Sequence, residues 1–399
     1  MNKTHKAIKY RIYPTAKQQQ LIAQTFGCCR FVYNNMLAIS KEAYEKGENI
    51  CSRNKFNYLL TDLKKRNAWL KDVDSTALTA ANDALADAFS NFFAKRSGYP
   101  NFHKKKSSGS YTSKRIKGSK NIALESNAIR LPKLGIVKAK IHRLPKTDWE
   151  IKSATVSQSS DGKYYVSVLF EFESDVPTNI IDINNSIGLD YASDGLFVDS
   201  NGNIGSNHKF YRKSHKKLTK AQRKLSRMIE SNITGYKIID NKRYPIYKKD
   251  ISECKNIQKQ KLKIAKISRH TANQRLDNLH KLSAEIANQY DVVCVESLNM
   301  KAIANKGFGN GKATLDNGYG LFLNMLEYKL ADRNKIFVKI DKWFPSSQMC
   351  HSCGTLHPEM KNLKIRTFEC DCGVKINRDQ NAAINILNEG LRILVQKAS

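Results

Sequence analysis

No run of eighteen or more apolar residues occurs in this chain of 399 residues, so no helix is expected to span a membrane. The opening Met1-Asn2-Lys3-Thr4-His5-Lys6 lacks an apolar signal core, so no secretory leader is expected and the location expected is cytoplasmic. Acidic residues are scarce: 36 Asp and Glu stand against 68 Lys and Arg, a net 68 − 36 = +32. A protein so basic repels itself unless a polyanion neutralises it. Nucleic acid, whose phosphates release counterions to Lys and Arg, is the natural partner. A membrane surface is the rival polyanion, but the basic segments lack the wide apolar face with Trp or Phe that surface binding needs, so no membrane partner is expected. Nine cysteines are too few, and too unevenly placed, for a disulfide scaffold. Internal repeats are also absent, and the composition is Lys-rich without being low-complexity. At 41% hydrophobic the chain can bury real cores, and its length suggests two to four folded units.

Lys6 to Tyr13 alternates apolar and basic residues with period two and reads as an amphipathic strand ended by Pro14. Thr15 can cap a following helix. Over 15–100 the period becomes helical, most clearly at Leu78, Ala81, Leu85, Phe89 and Phe92, with Ser75 as the expected cap. From 110 to 173 the pattern is β-like, with the turn signal Asp161-Gly162 before the strand Tyr164–Phe172. The first strand and 107–175 are therefore expected to form one β-barrel or sheet carrying the helices as an insertion. Val176-Pro177-Thr178-Asn179 reads as a linker. Ile187–Asp190 begins a strand, followed by a hairpin with an Asn201-Gly202 turn. Residues 209–290 read as helical throughout. Asp291–Glu296 and Ile336–Ile340 suit buried parallel strands, and a last helix is expected from about Asp379 to Val395.

Three acids stand at element ends: Asp190 and Glu296 close apolar strands, and Asp379 opens the last helix. Carboxylates gathered at a buried strand end lose hydration and repel one another unless cations neutralise them. Two Mg²⁺ ions would do so and could activate water for phosphodiester cleavage; Mn²⁺ is the alternative ion. Taken singly, each acid is better explained as a surface loop start (Asp190, Glu296) or a helix N-cap (Asp379). The trio in so basic a chain favours the metal reading. Cys350-x₂-Cys353 and Cys370-x-Cys372 lie sixteen residues apart, and each pair is followed by a glycine (Gly354, Gly373). Four thiolates on two tight turns suit one structural Zn²⁺, with His351 or His357 as substitute ligands. A redox role would want a thioredoxin-like setting, which is missing.

The basic excess is uneven. Residues 201–270 carry 20 Lys and Arg against 4 acids, half of the whole excess, and Lys216, Lys217 and Arg223 are its representative phosphate-binding candidates. Lys104-Lys105-Lys106 stands beside Tyr99, Phe102 and Tyr111, mixing charge with stacking groups as single-strand binding uses, although those aromatics could equally be core. His215, His270 and His280 are assigned no role.

The segments Lys9–Thr15, Ile187–Asp190, His280–Ser283, Val292–Asn299, Pro345–Gly354 and Asn377–Ile386 resemble, in order and spacing, those of the TnpB family, transposon-associated RNA-guided DNA endonucleases related to compact type V CRISPR nucleases. The resemblance implies a multidomain α+β chain. Its RNase H-like (RuvC) α/β nuclease core spans 179–344 and 376–399, with a zinc-ribbon insertion at 345–375. A wedge-like β-barrel of 1–14 and 107–178 precedes the core and carries a helical recognition domain at 15–106. It further implies Asp190, Glu296 and Asp379 as the catalytic, Mg²⁺-binding triad and Cys350, Cys353, Cys370 and Cys372 as zinc ligands. The implied partners are a guide RNA from the transposon end, double-stranded target DNA and a separate transposase encoded by the same element. Where family members often have Gly two residues after the first acid, Ala192 stands here, which alters backbone freedom near Asp190 but leaves the carboxylate. The competing functions are a transposase acting directly in DNA recombination, a non-cleaving RNA-guided DNA-binding repressor, and a ribosomal or translation-associated RNA binder.

Overall fold

A computed structural model describes residues 3–105, 108–173, 180–304 and 311–398. Lys106 and the linker residues 176–179 lie outside the described residues. The chain divides into two compact units, Met1–Ser174 and Asp175–Ser399.

The first unit begins with β1 (Lys3–Tyr13), whose alternation buries Ile8, Tyr10 and Ile12 and leaves Lys9 and Arg11 on the other side. Three helices follow: α1 (Ala16–Glu45), α2 (Arg53–Arg66) and α3 (Ser75–Phe93). Thr15 starts α1 with a reciprocal capping box, its side chain accepting from the Gln18 N–H while the Gln18 side chain accepts from the Thr15 N–H. The cap of α3 is Asp74 rather than Ser75: its carboxylate accepts from both the backbone N–H and the hydroxyl of Thr76, two bonds that a serine hydroxyl could not accept as well. The chain then adds β2 (Gly109–Lys114), β3 (Ala123–Leu124), β4 (Ala128–Leu131), β5 (Gly135–Lys140), β6 (Glu150–Gln158) and β7 (Tyr164–Glu173). The antiparallel sheet runs β2-β6-β7-β1-β5-β4-β3, with β1 near its middle between β7 and β5. Among the described residues the ladder has two edges, β2 and β3, and no pairing closes it into a ring. One apolar core joins the helices to the sheet, with Val32, Met36, Leu78 and Leu85 packed with Tyr10, Val156 and Val168.

The second unit comprises β8 (Ser186–Tyr191), β9 (Phe197–Asp199), α4 (Phe210–Glu230), β10 (Ile233–Ile239), β11 (Lys242–Tyr247), α5 (Lys255–Gln289) and β12 (Val292–Glu296). It continues with α6 (Met300–Ile303), α7 (Gly311–Asn317), α8 (Tyr319–Ala331), β13 (Ile336–Ile340), β14 (Thr367–Glu369), β15 (Lys375–Asn377) and α9 (Arg378–Ala398). The main sheet runs β13-β12-β8-β9, with β12 parallel to both β8 and β13 and β9 antiparallel to β8. Residues 209–290 are not one helical stretch: the β10–β11 hairpin separates α4 from α5. Its turn is Asp240-Asn241, both at positive φ (50° and 59°), a conformation these short polar side chains tolerate. Helices α4 and α5 pack antiparallel, since Ser214 reaches Thr271 while Ala221 faces Gln260.

Strand alternation divides the core of this unit in two. Ile187, Leu189, Val293 and Val295 face α5 and α8. Val292, Cys294 and Val338 face α9. Helix α9 lies unusually close to the strands. A Cβ on Gly188 would sit 2.1 Å from the Ala383 carbonyl oxygen, and one on Gly390 would sit 2.3 Å from Cys294 Sγ. Both glycines are therefore required by close approach rather than by backbone angle.

Candidate metal centres

That contact sets the position of the three acids. Asp190 lies two residues beyond Gly188 and so shares its face of the sheet. Glu296 lies two residues beyond Cys294, likewise on the α9 face. The register Val295↔Leu189 carried one step further sets Glu296 beside Asp190 on adjacent strands, about 5 Å apart by strand spacing. Asp379 is one helical turn before Ala383, the residue that touches Gly188. The helix brings it back toward the strand ends, at the same edge as the other two. Asn377, not Asp379, caps α9, accepting from the N–H groups of Asp379 and Gln380. The Asp379 carboxylate is thus left for other work.

The electrostatics fit this placement. Burial, then the charges of Asp379 and Glu296, push the Asp190 carboxyl well above the usual range, with the guanidinium of Arg378 partly opposing them. Burial pushes Glu296 up to about 7. Asp379 meets Arg366 at 3.5 Å, an arginine from the segment between the two cysteine pairs. The fully buried hydroxyl of Tyr319, at the start of α8, feels the charges of Asp190 and Glu296 and has no hydrogen-bond partner among the described residues. Carboxylates that raise one another beside a buried hydroxyl, with the arginines only partly opposing them, leave an excess of negative charge to be neutralised. Divalent ions with bound water fit that need. Arg378, Arg366 and Tyr319 were not singled out from sequence. Arg378 is adjacent to an acid in the chain and could have been found, whereas Tyr319 has no local signal.

The four thiols converge. Among the described residues they alone form a group of three or more metal-ligating side chains whose ligand atoms all lie within 4.8 Å of one another. Cys350 and Cys372 are 3.6 Å apart, as are Cys353 and Cys370. Those separations match the edge of a tetrahedron with metal–sulfur bonds of about 2.3 Å, so the set fits Zn²⁺. The hydroxyl and backbone of Thr355 hold the Cys353 thiol down at about 6, favouring thiolate. The neighbouring histidines are engaged elsewhere: His351 bonds Asn381 and His357 bonds Glu359. Two buried asparagines of α9 fasten this region to the helix. Asn381 donates to the Met349 carbonyl, and Asn385 donates to those of Ser346 and Met349. The thiol-bearing segment and the third acid are therefore anchored to the same two turns of helix.

The described basic candidates are all exposed, whereas the aromatics beside the first of them divide by burial. Lys104 and Lys105 are exposed. Lys104, Arg30 and Phe102 line an open cleft of about 700 Å³, beside a His103 ring stacked on Tyr33 at 3.9 Å. Phe102 is 53% exposed, but Tyr111 is core at 5%. Lys216, Lys217 and Arg223 are exposed on α4, where His215, Lys216, Lys220, Arg223 and Arg227 border a shallow groove. No helix among the described residues is long and apolar enough to cross a membrane.

Comparison with known proteins is consistent along the chain. Residues 169–306 match a family described as "Probable transposase", residues 319–386 a "Cas12f1-like, TNB domain", and residues 1–49 a "Helix-turn-helix domain". In the structure, residues 3–45 are a strand and a single helix. A Streptomyces pristinaespiralis protein named "Putative RNA-guided DNA endonuclease" is 32% identical over 98% of this chain and 90% of its own length. InsQ of Escherichia coli K12, given the same description, is 29% identical over 97% and 93%. The TnpB-like protein L79 of Acanthamoeba polyphaga mimivirus is 24% identical over 96% and 73%. The fold resembles that of Cas12f1 solved with its guide RNA and target DNA, at a TM-score of 0.62 and 15% identity, covering 97% of this chain and 99% of that one. The chain belongs to the TnpB family of transposon-associated RNA-guided DNA endonucleases.

Proposed function

We propose that this protein is an RNA-guided endonuclease that cuts double-stranded DNA at a RuvC-type centre formed by Asp190, Glu296 and Asp379. What supports this reading most is that Asp190 is buried and that the charges of Asp379 on α9 and Glu296 on β12 both reach it, raising its carboxyl. Divalent ions bound there would activate water and stabilise the departing 3′ oxygen. The chain's own part is to hold the ligands. Asp190 and Glu296 are fixed by parallel register, and Asp379 by the glycine contacts of α9. Arg378 keeps positive charge beside Asp190. Residues 179–344 and 376–399 form the nuclease core in this reading, and 345–375 the zinc ribbon held by Cys350, Cys353, Cys370 and Cys372. Residues 1–14 and 107–178 form the wedge and 15–106 the recognition helices. Lys104, Lys105, Lys216, Lys217 and Arg223 hold backbone phosphates, while guide pairing reads sequence.

The test is cleavage of a plasmid matching the guide, with Mg²⁺, by wild type and Asp190→Ala. The variant is expected to co-purify with the same RNA and to leave the plasmid intact. Cutting by Asp190→Ala removes the site assignment. Cutting by RNA-stripped wild type removes the guide and supports a DNA-recombining transposase instead.

A further inference from the structure

Trp343 is 80% exposed. Tryptophan is highly buried on average, so an indole in water at a rigid position asks for a partner. The backbone at this position is tied down. Trp343 follows β13 in a turn whose Asp341 side chain accepts from the Trp343 N–H at 2.7 Å. The turn is fixed on both sides, by buried Ile340 before it and by Phe344, which packs into the α9 core, after it. Beyond Phe344, the Ser346 carbonyl accepts from buried Asn385.

The turn also lies close to the three acids. Ile340 is the register partner of Glu296. Trp343 is three residues farther along, within a chain reach of about 10 Å of that strand end. Lys342 sets its ammonium 4.8 Å from the indole centroid, so a cation and an aromatic surface are presented together. A planar ring with an adjoining cation beside a phosphodiester-cutting centre is the pairing that holds single-stranded nucleic acid: the base stacks, and its phosphate meets the charge. A strand must be unpaired to enter a single centre of this kind, so its bases are available to stack.

We propose that Trp343 is the stacking platform for an unpaired base of the DNA strand being cut, with Lys342 taking a neighbouring phosphate. This rests on the nuclease reading above and adds to it a residue that positions the strand without touching the reacting atoms.

The probe is a radiolabelled oligothymidine of eight nucleotides, titrated into guide-loaded full-length protein in EDTA, with filter retention reporting affinity and tryptophan emission reporting stacking. The other two tryptophans, Trp69 and Trp149, belong to the first unit, so Trp343→Phe isolates the contribution of this ring. Wild type is expected to lose emission on binding. Trp343→Phe should bind nearly as tightly without that loss, and Trp343→Ala should bind about 5- to 150-fold more weakly. Cleavage of a matched, pre-opened target at subsaturating concentration should fall in the same proportion for Trp343→Ala and recover in Trp343→Phe. The same quenching in Trp343→Phe, or binding by Trp343→Ala within twofold of wild type, overturns the inference. Failure of wild type to cut the target at all overturns the nuclease reading instead, and the emission change then decides stacking by itself.

Discussion

Replacing Glu296 with Gln should make the metal-free protein more stable. The amide keeps the size of the side chain and removes its charge. Raising a carboxyl from 4.5 to about 7 disfavours the charged form by about 3 kcal/mol at 1.36 kcal/mol per pH unit. The side chain is partly open to water, so screening reduces this to about 1–2 kcal/mol. The sign follows from proton counting. Between about 4.5 and 7 the folded state binds more protons at this position than the unfolded chain. The favourable contribution is therefore complete below the unfolded value and is lost as pH rises through 7. Relief of repulsion on Asp190 acts in the same direction. Calorimetry in EDTA at pH 8 should show the transition of the second unit about 2–8 °C higher in Glu296→Gln than in wild type. That gap should close as pH is lowered toward 5. Adding Mg²⁺ at pH 8 should reverse the order, because only wild type retains the full ligand set and gains by mass action. Equal stability at pH 8, or a gap that does not change with pH, would falsify the placement of Glu296 in a desolvated acidic cluster.

Gly188→Ala must displace the backbone of α9, because the new methyl would meet the Ala383 carbonyl. A loss of about 1–3 kcal/mol in urea unfolding is expected, together with a larger drop in cleavage than in RNA binding. Stripping zinc with a strong chelator, or Cys370→Ser, should raise hydrogen exchange across 345–377 and in the first turns of α9, where Asn381 and Asn385 hold that segment; full-length protein should bind one zinc per chain. Combining Lys216→Ala, Lys217→Ala and Arg223→Ala should lower the slope of log affinity for RNA against log salt by about 2–3, and an unchanged slope would clear α4 of phosphate contact.

The acidic site was legible because strand parity is strict. Apolar runs ending in Asp190 and Glu296, and an acid at the head of the last helix, mark three element ends in the sequence, and parity puts the first two on the α9 face. The thiols were legible from spacing alone. The β10–β11 hairpin was hidden by its surroundings: lysine-rich sequence on both sides carries helical propensity, and its strands bury too little to show alternation. Its signal lay in Asp240-Asn241 with Ile and Tyr on either side. Asp74 was passed over because Ser75 is also a good cap, and one residue separates them. Tyr319 and Trp343 belong to neither class. Their significance comes from what surrounds them in space, an orphaned hydroxyl in one case and an uncovered indole in the other.

The order in which the ribosome emits these parts has its own effect. The first unit closes when β7 reaches β1, pairing Glu173 with Lys3, before any part of the acidic cluster has been made. The last carboxylate, at 379, is translated 379 − 190 = 189 residues after the first. Its helix then has to settle onto two glycines before it faces its partners. A frameshift or premature stop after β7 but before 379 leaves the first unit without Asp379. On the proposed function such a truncated product lacks a complete set of metal ligands and is disarmed with no inhibitor needed.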